Sequence, residues 1–343
     1  MKRRHQLIGL LAATTLTLSL TACGTNDAGS TTGASTTGAP STTTTAGKTY
    51  TIASAVIISH PALQAVQDGF EEVLKEQGIT YKMTSENAQG DPANATTIAS
   101  SFASNKDIDL MLAISTPIAL AIANAEKDRP ILFSAVTDPV RDGLVPSWDA
   151  AGANITGTSD LNPEAHPVSL VQEAMPDVKT IGVLYSSSES NSLAQLDAYK
   201  TEAASLGLTL KPQAITSAAE VSVGLAALKG VDAILVPTDN TVVAAITSVV
   251  SFGQENHIPV FCADTSTVSL GTVATRGLSY HDLGRRTGEM AVSILRDGVN
   301  ISTIKPEATT STELLVNTGA AQTFGLTLPA SLTSGATIIE TAA

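Results

Sequence analysis

The chain has 343 residues, with 19 Lys+Arg against 32 Asp+Glu and a formal charge of −13. So acidic a chain is a poor partner for nucleic acid and gains nothing from simple adsorption to anionic lipid. Its length suits two modest lobes better than one core.

The chain opens with a positive segment, Lys2, Arg3 and Arg4, followed by an apolar stretch over 7–20 and then Leu20-Thr21-Ala22-Cys23-Gly24. The apolar stretch is too short for a stable transmembrane helix and suits a secretory signal. The run before Cys23 resembles the bacterial lipobox. That resemblance implies a signal peptide over 1–22, cleavage before Cys23 and a lipid on its thiol. Without Lys2, Arg3 and Arg4, 16 basic residues face 32 acidic ones, a charge of −16. Residues 23–48 are rich in Ser, Thr, Gly and Ala, with almost no apolar bulk. Such a segment buries too little surface to offset its ordering entropy, so it reads as a flexible tether.

From Tyr50 onward short β-branched runs alternate with helical patterns. The spacing predicts strands over 50–58, 81–85, 110–114, 131–136 and 154–158. Helices are predicted over 61–77, from Asp91-Pro92 to about 105, and from 117. A second series follows. It has helices over 168–174, 191–206, 218–228 and 240–255, and strands over 180–185, 208–211, 233–236, 260–263 and 272–274. A last helix is predicted over 282–296. Continuous apolar strands alternating with helices imply parallel sheets covered on both faces. Two such series imply two α/β lobes.

Polar residues end the strands. They are Ser59-His60-Pro61, Ser115-Thr116-Pro117 and Thr137-Asp138-Pro139 in the first series. In the second they are Ser186 to Ser192, Pro237-Thr238-Asp239-Asn240 and Asp264-Thr265-Ser266. Open parallel sheets bind ligands outside the carboxyl ends of their strands. Each cluster also opens a helix, where free N–H groups favour an anion. The same residue types are ordinary helix caps, so any single cluster reads first as a cap. Together they suggest a zwitterion site whose ammonium would pair with Asp138, Asp239 or Asp264. The expected ligand set is Ser59, His60, Thr116, Asp138, Ser188, Asn191, Ser192, Asp239, Asn240, Asp264 and Tyr280.

No Gly-x-Ser-x-Gly elbow, phosphate-cradling glycine loop or metal-binding His pair is present, so neither catalysis nor a cofactor or metal is expected. Cys262 has no partner for an intramolecular disulfide and reads as a small buried hydrophobe.

Several runs then carry a family resemblance. They are His60-Pro61-Ala62-Leu63 with Asp68-Gly69-Phe70, Asn87 to Asn94, Ser115-Thr116-Pro117, Val136 to Val140 with Asp142 to Val145, and Asn154 to Asp160. Further on are Ile181 to Tyr185, Pro237 to Val243, and Tyr280-His281-Asp282-Leu283-Gly284. The chain resembles the ABC transporter substrate-binding proteins of the tryptophan/tyrosine-binding type. The resemblance implies a type I periplasmic-binding-protein fold, two Rossmann-like lobes joined by a three-crossover hinge. The crossovers are expected near Ser159, Gly277 and residue 303. One lobe would hold 49–159 plus 278–302, the other 160–277 plus 303–343. It further implies a monomer on the extracytoplasmic face that binds an amino acid, aromatic by family. The amino acid would pass to an ABC permease and its ATPase. Tyr185, Phe133 and Tyr280 are candidate walls for an aromatic guest, with core packing favoured for Phe133. A membrane-tethered sensor, or the same receptor for a branched amino acid, sugar or nucleoside, is the alternative.

Overall fold

The structure is a computed structural model that describes residues 48–308 and 312–341. The expected signal peptide over 1–22, Cys23 and the tether up to residue 47 lie outside the described residues.

The first series runs β1 (Tyr50–Val56), α1 (Pro61–Glu76), β2 (Tyr81–Asn87), α2 (Pro92–Ser104), β3 (Leu110–Ile114), α3 (Thr116–Ala125), β4 (Ile131–Ser134) and β5 (Ile155–Ser159). In α1, Leu63, Val66, Phe70, Val73 and Leu74 fall on one buried face, as helical spacing requires. Asp91 caps α2 by accepting the Ala93 N–H at 2.7 Å. β3 and β4 are buried at every residue, the mark of strands covered on both faces.

The second series runs α4 (Pro167–Ala174), β6 (Thr180–Ser186), α5 (Ser190–Leu206), β7 (Thr209–Ile215), α6 (Val221–Ala227), β8 (Ala233–Val236), α7 (Asn240–Val243), α8 (Ile246–Asn256), β9 (Val260–Cys262) and β10 (Ala274–Gly277). The helix expected over 240–255 is broken at Ala244-Ala245. All four α7 residues are buried, whereas α8 buries one face, and the turn lets both pack. β7 runs on to Ile215, beyond the expected 211. It is an edge strand, where the missing N–H of Pro212 leaves no ladder bond unmade.

The remainder is α9 (Tyr280–Leu295), β11 (Glu307–Ala308), β12 (Glu313–Asn317), α10 (Thr318–Thr323), α11 (Ala330–Thr333) and β13 (Thr337–Ile339). One parallel sheet has the order β2-β1-β3-β4-β5-β11 and another β7-β6-β8-β9. A third sheet, β10-β12-β13, departs from the all-parallel expectation because β10 and β12 are antiparallel. Gly277 pairs with Glu313, so β12 starts where β10 ends and must run the other way. Two separate apolar cores result, one around the six-stranded sheet and one around the four-stranded sheet. The chain is thus an α/β protein of two lobes. It leaves the first sheet after Ser159, comes back after Gly277, and is still paired with β5 at Ala308. The sequence reading put that last passage earlier, near residue 303. The two-residue strand β11 is too short to announce itself in sequence.

α9 belongs to the first core, where Leu283, Met290, Ala291 and Val292 are buried. It lies almost against the α1 backbone. A Cβ on Gly284 would stand 2.0 Å from the Val66 carbonyl oxygen, and one on Gly69 2.2 Å from that of His281. Only glycine permits this approach. Thr287 fixes α9 to the sheet, its hydroxyl 2.7 Å from Thr158 Oγ1 and 3.0 Å from Ser134 Oγ. Among the described residues, no helix is long and apolar enough to cross a membrane.

Candidate ligand site

The carboxyl ends of both parallel sheets meet at a cavity of about 650 Å³. Thr137 and Asp138 enter from the end of β4, Asp160 from β5, Thr238 from β8, Ala263 from β9, and Leu278 and Tyr280 from the second passage. One side is apolar, with Leu161, Pro163, Ala194, Ala198 and Tyr199. Gln195 and Glu202 of α5 also face the space. A volume in the range of roughly 300–1,000 Å³, mostly apolar with a few convergent polar groups, is the usual form of a small-molecule site.

Of the eleven expected ligand residues, Asp138 and Tyr280 line this cavity. Three others join the lobes beside it. His60 Nε2 lies 3.3 Å from Asn240 Oδ1, and His60 Nδ1 lies 3.9 Å from Asp264 Oδ2. All three are buried. Arg141 and Asp197 form a second, exposed bridge between the lobes at 3.3 Å.

Three more expected residues are committed to lobe structure. Asp239 caps α7 by accepting the Val242 N–H at 2.9 Å, and its other oxygen accepts the Ser192 hydroxyl at 2.7 Å and the Ser186 N–H. Asn191 donates to the Thr238 carbonyl at 3.0 Å and to Glu189, though its Oδ1 is buried without a partner. Glu189 accepts the N–H of Asn240 at 3.1 Å and the N–H and hydroxyl of Thr241 at 3.0 and 2.7 Å. Burial and the charge of Glu189 push the Asp239 carboxyl up to about 7.

Thr116 is buried and its hydroxyl accepts the Thr137 N–H at 3.3 Å. Just before it, Ser115 has φ +86°, ψ 155° and a buried hydroxyl without a partner. For a non-glycine residue that backbone costs about 1–3 kcal/mol and tends to mark ligand clamps. Ser59 and Ser188 are exposed, the latter hydrogen-bonded to Ser186 at 2.8 Å.

The sequence reading omitted Asp160, although it directly follows a strand and sits in a quoted motif. Its side chain is buried, with one oxygen accepting from Tyr280 Oη at 3.2 Å and the other, Oδ1, without a partner. Burial pushes its carboxyl up to about 6, and the charge of Asp264 adds to this against lowering by Thr137 and Tyr280. Gln195 and Glu202 carried no signal, since they lie inside a helix. Of the suggested aromatic walls only Tyr280 lines the cavity. Phe133 is core, Tyr185 does not reach the space, and Tyr199 does. Cys262 is buried with its thiol pKa raised by burial, which keeps it a protonated, apolar-like group.

Known proteins complete the picture. The family model described as ABC transporter substrate binding protein matches residues 51–339. A tyrosine-binding protein of Clostridioides difficile (strain R20291) is 34% identical over 323 residues, 92% of this chain and 91% of that protein. The solved ABC domain in complex with L-Trp from Streptococcus pneumonia is 34% identical, superposes with a TM-score of 0.81, and is matched over 85% of this chain and 100% of that one. A ligand-free, open substrate binding protein with adhesive properties from Clostridium difficile is 38% identical over 85% and 99% of the two chains, with a TM-score of 0.62. The chain belongs to the ABC transporter substrate-binding proteins, a family of solute receptors and not of enzymes.

Proposed function

We propose that the protein captures an aromatic amino acid in the cavity between its lobes and hands it to an ABC permease, from a lipid anchor on Cys23. The observation that carries the ligand class is the cavity itself. It combines an apolar side, formed by Leu161, Pro163, Ala198 and Tyr199, with polar groups at the strand ends of both lobes, Thr137, Asp138 and Asp160 from one and Thr238 from the other. An aromatic side chain fits the first and a zwitterionic head the second. The relatives support this reading, one being a tyrosine-binding protein and another a complex with L-Trp.

The protein works as a monomer on the extracytoplasmic face, where the lipid and the tether keep it near a permease and its ATPase. His60, Asn240 and Asp264 act at the seam between the lobes. Asp138 and Tyr280 act at the ligand, while Ser192 and Asp239 shape the loops behind it. Calorimetry of the full chain in detergent micelles against the twenty amino acids tests the ligand class. L-Trp, L-Tyr or L-Phe binding at micromolar or tighter Kd, about −8 kcal/mol, is the expected result. Tightest binding of a branched or other non-aromatic amino acid, or of none of the twenty, refutes it. Metabolic labelling with a fatty acid, lost in Cys23→Ala, tests the anchor.

A further inference from the structure

We infer that Asp160 is the receptor for the ligand's ammonium group, with Tyr280 as the residue that positions it; this rests on the amino-acid reading of the cavity. Each neighbouring carboxylate is engaged within the protein or, as with the half-buried Asp138, also reached by solvent. Asp239 takes three donors from its own lobe, and Glu189 takes the donors of Asn240 and Thr241. Glu202 caps α4 through the N–H groups of Val168 and Ser169. Asp138 accepts the Arg141 N–H at 3.0 Å. Asp264 turns one oxygen to the N–H and hydroxyl of Ser266 and the other toward His60.

Asp160 differs. Among the described residues, its Oδ1 is the one carboxylate oxygen that is buried with no hydrogen-bond partner. The residue is 7% exposed, and it lines the cavity. A buried carboxylate oxygen without a donor is costly, and such a group persists where something else completes it. The nearby Thr137 hydroxyl lowers the carboxyl's pKa without making a hydrogen bond to Oδ1, and the cations of the same cavity do not complete it. Arg141 reaches Asp197, Arg276 reaches Glu173 at 3.1 Å, and His166 stands 4.0 Å from Glu202. An ammonium brings three N–H donors and a full positive charge, which answer both the empty acceptor and the negative potential. The Tyr280 hydroxyl holds Oδ2 at 3.2 Å, which orients the carboxyl group.

The geometry also sets a selectivity rule. A ligand with the same aromatic group and carboxylate but no α-amine leaves Asp160 buried and unanswered, and is rejected.

The test compares L-Trp with indole-3-propionate, its des-amino analogue, by calorimetry on the full chain in detergent micelles. Wild type is expected to prefer L-Trp by about 100-fold or more, the size of a lost buried charge contact. Asp160→Asn is expected to lose about 30-fold or more in L-Trp affinity while the analogue gains or holds, so the preference falls below about tenfold. Tyr280→Phe, which keeps the ring, is expected to lose a smaller factor for L-Trp alone. Thermal melts verify that each variant is folded, and Tyr280→Phe carries the test if Asp160→Asn is not. An Asp160→Asn protein that binds L-Trp within threefold of wild type overturns the assignment. So does a wild type that binds both compounds equally, or a Tyr280→Phe protein that loses both equally. A wild type that binds no aromatic amino acid instead refutes the proposed function, a separate outcome.

Discussion

Asp239→Ala separates the two roles that a strand-end aspartate can play. From sequence Asp239 is a candidate for the ammonium partner, and the substitution would then weaken ligand binding. In the structure both its oxygens are occupied from within the lobe, by Val242 N–H at 2.9 Å, Ser192 Oγ at 2.7 Å and the Ser186 N–H. Alanine removes a helix cap, worth about 0.5–2 kcal/mol. It also leaves the Ser186 N–H buried without an acceptor, at about 1–3 kcal/mol, while the Ser192 hydroxyl can turn elsewhere. Against this, the repulsion from Glu189 and the burial of a carboxylate disappear. The net expectation is a loss of roughly 2–4 kcal/mol in stability.

Urea unfolding of the full chain reads this as a fall in the midpoint at unchanged slope. The folded fraction should keep its ligand affinity within a few-fold. A variant that unfolds within about 1 kcal/mol of wild type but binds ligand 30-fold more weakly would place Asp239 on the ligand and refute this reasoning. Asp239→Asn adds a signed check. The folded acid holds its proton up to about 7, against an ordinary 3.8, so its contribution to stability falls as pH rises between those values. Asparagine has no such dependence, and the difference between the variant and wild type should shift in favour of asparagine from pH 4 to 7.

Three further outcomes follow from the geometry. Gly284→Ala puts a methyl group into the Val66 carbonyl and forces α9 off α1, so a loss of more than about 3 kcal/mol is expected by calorimetric melting; Gly298→Ala, where φ is +69° in open space, should cost only about 1 kcal/mol. With Asp160 titrating at about 6 beside Tyr280 and Asp264, ligand affinity should hold above that pH and fall about tenfold per unit below it, and a flat profile from pH 7 to 5 would contradict an ionised Asp160 on the ligand. His60→Ala removes the buried bridge to Asn240 and Asp264; small-angle scattering should show a larger radius of gyration for the ligand-free protein, and a value equal to wild type would mean that the bridge does not hold the lobes together.

Much of the architecture was legible before any coordinates. Apolar runs of four to seven residues alternating with helical periodicity sufficed for β1 to β9 and for α1, α2, α5 and α9, because strand and helix periods are local properties of the chain. The strand-end rule likewise points to the edge of both sheets where the cavity opens, since the ends of parallel strands face one side whatever the sequence. Local reasoning failed where partners are distant. β11 and the antiparallel β10–β12 pair depend on which strand edge the chain meets on its way back, which no short window encodes. Gly69 and Gly284 stand in quoted family motifs, yet their reason is a contact between helices more than two hundred residues apart in sequence.

The division is sharpest for the polar residues. Sequence determined that Ser, Thr, Asp and Asn gather at the strand ends of both series. It could not separate a cap from a ligand contact, because both roles use the same side chains. Only the tertiary structure decided this, by supplying donors. Asp239, Ser192 and Glu189 find theirs within one lobe and are spent on it. His60 and Asn240 find each other across the seam. Asp160 Oδ1 is buried at the cavity with none, and Ser115 Oγ is likewise buried without a partner at the end of β3. The physical reason is that a buried polar group must be answered, and the sum of what folding leaves unanswered exists only once the chain has closed around it.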